Sequence, residues 1–170
     1  MPRDPYSDTD YDPRSRFRGK FSGVVVNNND RNRDGKLQIR LPEVLGDKQP
    51  WARPCVPYAA QGLGLFLMPP NGTRVWVEFE DGNLEQPIWT GFEWPKGGAP
   101  AASPKEMVIA TPSGTIRFNA ENQKGEITIE AKKMTITLRD DAVTLTAPGG
   151  ATIEMKGKKT AINKDGLEVD

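Results

Sequence analysis

The sequence has no histidine and only one cysteine, and both shortages exclude kinds of site. Without histidine there is no Ser-His-Asp triad, no Cys-His pair and no imidazole ligand for a metal. One cysteine forms neither an internal disulfide nor a cysteine-based zinc site. We therefore expect no cofactor and no metal. Cys55 stands between two prolines in a predicted strand, and we expect it to be a small buried hydrophobic residue.

An excess of positive charge is also missing, because 23 Lys and Arg residues balance 23 Asp and Glu residues. A nucleic-acid-binding protein usually carries a basic excess, so the balance argues against nucleic acid as a partner. No run of about 18 apolar residues occurs. The N-terminal stretch also lacks the apolar core of a secretory signal. We expect the protein to be made and assembled in the cytoplasm without a signal peptide.

Composition and residue pattern divide the chain into four predicted regions. They are an N-terminal arm (1–18), a β-rich domain (19–94), a linker with three prolines and two adjacent glycines (95–107), and a second β-rich domain (108–170). The arm is rich in Pro, Asp and Arg. It is either plain disorder or a segment that orders on a partner through Tyr6, Tyr11 and Phe17.

The first β-rich domain alternates apolar and polar residues over short stretches separated by turn signals. Leu37, Ile39 and Leu41 alternate with polar residues before Pro42 ends the strand. Five such strands without a convincing helix are typical of a small closed barrel such as an OB-fold, which leaves few free edges. The residues predicted in the barrel core or at an interface are Val24, Val26, Leu37, Ile39, Leu41, Trp51, Val75, Val77, Phe79 and Trp89.

The second β-rich domain repeats short strands that have one thin apolar face and one face of Thr, Glu and Lys. About 60 residues of such strands, with no helix to cover them, cannot easily close a core alone. Three identical chains would bury these faces on one axis as a trimeric β-prism, with ladder hydrogen bonds running between chains. A monomeric β-solenoid and a separate β-sandwich remain alternatives. The residues predicted in the trimer core are Ile127, Ile129, Met134, Ile136, Leu138, Val143, Leu145, Ile153, Met155, Ile162, Leu167 and Val169.

Three blocks of the N-terminal half occur in the order of one known family. The blocks are Gly23–Asn27 with Asp34–Pro42, Pro50–Pro57 with Gly62–Gly64, and Pro70–Asn83 with Gln86–Ile88 and Gly91. In this order they resemble the OB domain of phage baseplate spike proteins and of the VgrG proteins of type VI secretion. Residues 108–170 resemble, more loosely, the triple-stranded β-helix of these spikes, which Thr111–Gly114 opens as in relatives.

The resemblance implies an all-β fold, in which a five-stranded OB-fold barrel precedes an intertwined trimeric β-helix. It implies a structural, non-enzymatic homotrimer, the central spike of a contractile tail or phage-like injection system, which is part of the baseplate of a virion or injection particle and punctures the target membrane. A separate hub protein would bind at the OB end, because no hub-like domain precedes the barrel. The linker is too short for the lysozyme domain that some phage spikes carry between barrel and prism. Some short phage spikes hold iron at the tip through histidines. Since this chain has none, a PAAR-like tip-capping protein or a blunt end is implied.

Two polar clusters offer rival sites. Asp30–Gly35 matches the start of a calcium loop, but the acid required at position 12 of an EF-hand is replaced by Leu41. We expect a solvated turn there. Glu78 and Glu80, with Asp81, could form a glycosidase pair, which needs carboxyl groups roughly 5–10 Å apart. Alternating acids on the outer face of a strand are ordinary, so we expect no enzyme. Peptidoglycan turnover would test this expectation.

The four tryptophans leave a second function open. Trp51, Trp76, Trp89 and Trp94 could stack bases or sugars, as aromatic residues do on other OB-folds, although interface or core packing is favoured. The alternative function is therefore an OB-type nucleic-acid or carbohydrate binding module with a β-rich oligomerisation tail. Salt-dependent oligonucleotide binding would distinguish this module from a spike.

Overall fold

The computed structural model describes residues 17–120, 125–164 and, for the backbone, 167–169. The chain divides into two compact units, residues 1–97 and 98–170. The predicted anchors Tyr6 and Tyr11 lie outside the described residues, whereas Phe17 packs its ring edge-on against Phe79 with centroids 6.5 Å apart. No helix among the described residues has the length and hydrophobicity of a membrane span.

Over its described residues 17–97, the first unit is built from seven strands and short helical turns. The strands are β1 (Phe21–Asn27), β2 (Leu37–Arg40), β3 (Trp51–Pro54), β4 (Ala59–Ala60), β5 (Leu63–Gly64), β6 (Arg74–Phe79) and β7 (Pro87–Phe92). Helix α1 (Pro42–Leu45) follows β2 and begins with proline, which suits a first helical position because its missing N–H would have no partner there. A 3₁₀ turn (Glu80–Gly82) connects β6 to β7.

Five of these strands close into a barrel in the order β1-β2-β3-β7-β6. Strands β3 and β7 pair in parallel, and the other neighbours in the barrel pair antiparallel. A closed five-stranded barrel of this kind is the predicted OB-fold. The interior is filled by ten buried hydrophobic residues, which are Val25, Leu37, Ile39, Leu41, Leu45, Ala52, Val75, Val77, Phe79 and Trp89.

Strand β1 faces the core with a different set of residues from the predicted one. Val25 is buried, whereas Val24 and Val26 are half-buried on the opposite side of the strand. Gly23 also points inward, and a Cβ there would lie 2.2 Å from Leu41 Cδ1. Glycine at this position therefore lets the Leu41 side chain pack against the backbone of β1. Three consecutive valines fit either alternation equally well, so the pattern alone does not fix which face turns inward.

The long connection from β3 to β6 contains the hairpin of β4 and β5. Ala59 pairs with Gly64 and Ala60 pairs with Leu63. A Cβ on Gly64 would lie 2.7 Å from the Tyr58 carbonyl oxygen, and Gly64 has a φ of +142°. Both the close approach and the positive φ require glycine at this position.

The second unit is one antiparallel sheet of eight strands that follow each other in chain order. The strands are β8 (Glu106–Thr111), β9 (Gly114–Asn119), β10 (Glu126–Ala131), β11 (Met134–Leu138), β12 (Ala142–Thr146), β13 (Thr152–Lys156), β14 (Lys159–Ile162) and β15 (Leu167–Val169). Connections of two to six residues join neighbouring strands, so the chain runs back and forth across the sheet.

The ladder hydrogen bonds of this sheet correct one expectation. In the trimeric β-prism expected from the sequence these bonds run between chains, whereas each strand from β8 to β15 pairs with its neighbours in the same chain. The reason is the turns, which are short enough to return each strand beside the one before it. What the sheet needs from other copies is therefore cover for a face and not partners for its ladders.

Candidate trimerisation surface and barrel surface

The register of the second unit aligns its aliphatic residues into two rows on one face of the sheet. Directly paired residues in an antiparallel sheet lie on the same face. The first row consists of Met107, Phe118, Ile127, Leu138, Val143, Met155, Thr160 and Val169. The second row consists of Ile109, Ile116, Ile129, Ile136, Leu145, Ile153, Ile162 and Leu167. We call this side of the sheet the aliphatic face.

The aliphatic face has no cover within the described chain. None of the described side chains of the sheet is buried, and every buried hydrophobic residue belongs to the barrel. Met107 is 67% exposed, and even Ile129, in the middle of the sheet, is 38% exposed. A continuous apolar surface of this length is typical of an interaction site and not of a solvated surface.

The opposite face of the sheet is polar, and threonine dominates it. Thr128, Thr137 and Thr144 form one cross-strand row, and Thr135, Thr146 and Thr152 form a second. Three ion pairs lie close to one edge of the sheet. They join Arg117 to Glu106 at 2.9 Å, Arg139 to Glu126 at 2.7 Å, and Lys156 to Asp141 at 2.8 Å. The side-chain hydrogen bond and charge of Asp141 raise the pKa of Lys156. This face is suited to water.

The structure brings the predicted trimer-core residues to the aliphatic face. Ten of them have described side chains there, and Leu167 and Val169 occupy register positions opposite Ile162 and Thr160. Four further members were absent from the prediction, namely Met107, Ile109, Ile116 and Phe118. The alternation of Ile116 and Phe118 was a usable signal. Met107 and Ile109 lie in an uninterrupted apolar run, from which no face can be read.

The four tryptophans occupy different environments. Trp89 is buried, and its indole N–H donates a hydrogen bond of 3.0 Å to the Gly35 carbonyl oxygen. Trp76 is half-buried, Trp51 is 37% exposed and Trp94 is 68% exposed. The structure therefore does not gather them into one stacking platform on the barrel.

The charges around Trp51 are partly engaged within the barrel. The oligonucleotide-binding surface of OB-folds uses the second and third strands. Here Trp51 lies on that surface with Arg53, whose guanidinium pairs with Glu80 at 2.7 Å. Lys36 pairs with Asp34 at 2.8 Å, and this hydrogen bond raises the pKa of Lys36. A binding groove would have to break these pairs before the cations could contact phosphates.

Asp30 organises the loop between β1 and β2. Its carboxylate accepts hydrogen bonds from the backbone N–H groups of Asn32 at 3.1 Å, Asp34 at 2.8 Å and Lys36 at 3.1 Å. Partial desolvation raises the pKa of Asp30, but these hydrogen bonds and the charge of Lys36 lower it by more. The pKa of Asp30 therefore lies below its ordinary value. The Asp30 oxygens therefore serve the backbone, and among the described residues no cluster of three metal-binding side chains is found.

The proposed glycosidase carboxylates are held in separate ion pairs on the outside of the barrel. Glu78 pairs with Lys20, and Glu80 pairs with Arg53. Both acids are partly exposed, and their pairing is that of ordinary surface charges.

Cys55 is exposed, and the expectation that it is buried is wrong. Ala52 is buried and Pro54 is half-buried, so alternate residues of this segment face the core. Cys55 has the opposite parity and points outward, while its backbone N–H donates to the Trp89 carbonyl oxygen at 2.8 Å.

An apolar patch on the barrel surrounds the β4–β5 hairpin. Its exposed members are Tyr58, Leu63, Leu65, Phe66 and Leu67. We call these five residues the hairpin patch. Beneath them lies a cavity of about 390 Å³, which is lined by hairpin residues and by Val56, Met68 and Trp89. The signal of this contact surface in the sequence is the run of leucines and phenylalanine at residues 63–67.

Two protein-family models match the chain. Residues 21–94 match the type VI secretion system/phage-baseplate injector OB domain. Residues 106–168 match the phage baseplate V C-terminal trimerisation domain. The chain belongs to the phage baseplate V family. A search of the curated proteins found no match.

The family assignment agrees with the geometry of both units. The closed barrel is the family's OB domain, and the open sheet with its uncovered aliphatic face is the family's trimerisation domain. The protein is therefore a homotrimer of this chain. Members of these families are structural components of phage baseplates and related particles.

Proposed function

We propose that this baseplate V protein is the central spike of a contractile injection system, a non-enzymatic homotrimer that binds a hub and pierces the target cell envelope. The observation that carries the proposal is the pair of aliphatic rows that cross all eight strands without cover inside one chain. A spike must be a narrow rod, and a narrow rod is what three such sheets form around one axis.

The dimensions of the rows support a prism with its axis along the rows. Neighbouring strands are about 4.8 Å apart, so eight strands extend for roughly 34 Å. Each row is long, and the aliphatic face is only two residues wide at most strands. A long, narrow apolar stripe is covered most completely by the equivalent stripes of two other copies that run parallel to it.

The surface that this prism exposes supports transient passage through an envelope. The threonine rows and ion pairs described above would face outward, and the aliphatic rows would be enclosed. Charged groups are costly in lipid, so an outer face of this kind does not favour residence in a membrane. The force for penetration would come from other proteins of the particle.

The hub is proposed to bind the barrel at the hairpin patch. This patch is the largest group of neighbouring exposed hydrophobic side chains on the described part of the barrel. Phe66 is 70% exposed, and large aromatic and aliphatic residues of this kind are typical of the central part of a protein interface. At the opposite end of the chain we propose a PAAR-like tip-capping protein.

Complementation of a particle-producing strain that lacks this protein tests the proposal. Ile136 lies in the middle of the aliphatic face between Ile129 and Leu145, and Thr137 is the next residue on the polar face. With Ile136→Glu, we expect particles without spike density in electron micrographs and without activity on target cells. With Thr137→Glu, we expect normal spikes and activity. Active particles with Ile136→Glu would contradict the proposal.

A further inference from the structure

The turns of the eight-stranded sheet divide its charges unequally between two edges. The first edge holds the turns at residues 112–113, 132–133, 147–151 and 163–164, and we call it the lysine edge. Its described turn residues carry only three charged side chains, which are Lys132, Lys133 and Lys164. The other edge, which we call the mixed edge, holds the turns at residues 139–141 and 157–158 together with the ends of the strands that the ion pairs join.

Cyclic symmetry decides which edges meet. In a ring of three copies the contacts are head to tail, so the lysine edge of one copy faces the mixed edge of the next. Rotation about the axis does not slide a copy along the axis, so each strand stands at the same height in all three copies. This step rests on the proposed prism, in which the aliphatic rows run along the axis.

The height of each turn along the axis determines which residues of neighbouring copies can meet. The Lys132–Lys133 turn lies between β10 and β11, and the turn that contains Asp140 lies between β11 and β12. In adjacent copies these turns differ in height by one strand spacing, about 4.8 Å. Both lysines and Asp140 are exposed, and within the described part of the chain none of the three has a hydrogen-bond or ion-pair partner.

The other charges near this height that the structure describes on the mixed edge are already engaged. Glu126 pairs with Arg139 at 2.7 Å, and Asp141 pairs with Lys156 at 2.8 Å. Among the described residues, Asp140 is thus the acid that remains for a lysine of the neighbouring copy. We propose that Lys132 and Lys133 of one copy contact Asp140 of the next, and that this contact, repeated three times, joins the lysine edge of each copy to the mixed edge of its neighbour.

Paired cysteines test the contact in the full chain with Cys55 replaced by serine. Lys133 and Asp140 lie on opposite edges of one sheet, about 23 Å apart along β11, so a disulfide between Lys133→Cys and Asp140→Cys cannot form within one chain. Under mild oxidation we expect a covalent trimer on a non-reducing gel. The control pairs Lys133→Cys with Lys158→Cys, which lies two strand spacings further along the mixed edge. The control should remain largely monomeric on the gel.

Carbodiimide coupling of the unmodified protein supplies a second readout that needs no substitution. We expect an amide between Asp140 and Lys132 or Lys133, with peptides from two chains identified by mass spectrometry of an isotope-mixed trimer. A trimer in light scattering that gives neither this amide nor the disulfide overturns the inference and leaves the proposed spike intact. Equal cross-linking of the control pair also overturns it. A monomeric wild-type protein contradicts the inference and the spike together.

Discussion

The barrel and the sheet differ in where their hydrophobic residues find cover. The barrel buries ten hydrophobic side chains within one chain, whereas the described sheet buries none and presents two aliphatic rows. In the barrel and in the interior of the sheet, each strand pairs with a neighbour on either side. Backbone hydrogen bonding therefore does not distinguish the two units. The difference lies in closure. A barrel encloses its own apolar face, whereas the apolar face of an open sheet must be covered by another molecule.

Because of this difference, we expect the stability of the barrel and the stability of the sheet to depend on different variables. The barrel's free energy of unfolding depends on its own packing and is independent of protein concentration. The sheet's stability includes the free energy of association, so it depends on the concentration of chains. Substitutions can therefore be chosen to weaken one unit while leaving the other intact.

The largest effect is expected from a charge in the aliphatic face. Ile136→Glu would place a carboxylate among apolar side chains of three copies, where burial of a charge without a partner is very costly. We expect the mass in light scattering to fall from three times 18.8 kDa, about 56 kDa, to that of one chain. Thr137→Glu is the matched control and should remain trimeric. A trimer in both variants would remove the distinction between the two units.

The second effect is expected in the barrel core. Ile39 is completely buried, and Ile39→Ala should lower the free energy of unfolding of the barrel by about 2–5 kcal/mol. The neighbouring Arg40 is exposed, and Arg40→Ala should change it by less than about 0.5 kcal/mol. Denaturant titration measures both values, and light scattering should still show a trimer. Loss of the trimer with Ile39→Ala would mean that the units are not independent.

The third effect concerns the close approach of β1 to Leu41. Gly23→Ala would bring a methyl group within 2.2 Å of Leu41 Cδ1, and overpacking of this kind costs about 1–3 kcal/mol. In the double variant Gly23→Ala/Leu41→Ala the clash is gone. Its destabilisation should therefore be smaller than the sum of the two single effects. Simple additivity in denaturant titrations would show that the Leu41 side chain is not what requires glycine.

The smallest effect is expected at Asp30 in the barrel loop. Its folded pKa lies below the ordinary aspartate value of 3.8, so its contribution to stability is complete above that value and is lost as the pH falls through the folded pKa. Asp30→Asn should lower the melting temperature of the barrel at pH 6. The difference from the wild type should shrink in the acid range below 3.8. A difference that is constant with pH would assign the effect to shape and not to charge.

Much of the barrel follows from its sequence, and the exceptions have physical causes. Leu37 and Ile39 alternate clearly with polar residues and are both buried. Strand β1 is ambiguous because its valines are consecutive, and the contact of Gly23 with Leu41 decides its orientation. That contact joins residues far apart in sequence, so no local pattern contains it.

The sheet was predictable in its strands but not in its register. Alternation shows which residues of one strand share a face, whereas the alignment of Ile129, Ile136 and Leu145 in one row depends on the turn lengths. The same turns keep the ladders inside one chain, which the sequence pattern left undecided. The exposure of Cys55 was likewise not predictable, because the prolines beside it obscure which alternate residues of the segment face the core.

Methionine oxidation tests most directly the central claim that the core of the sheet lies between copies. Met107, Met134 and Met155 all lie on the aliphatic face, and in a single chain they are 67%, 42% and 45% exposed. Mass spectrometry after brief peroxide treatment compares the wild-type trimer with the monomeric Ile136→Glu variant. If the core of the sheet lies between copies, we expect much slower oxidation of these three methionines in the trimer. Equal rates in the two proteins would contradict it.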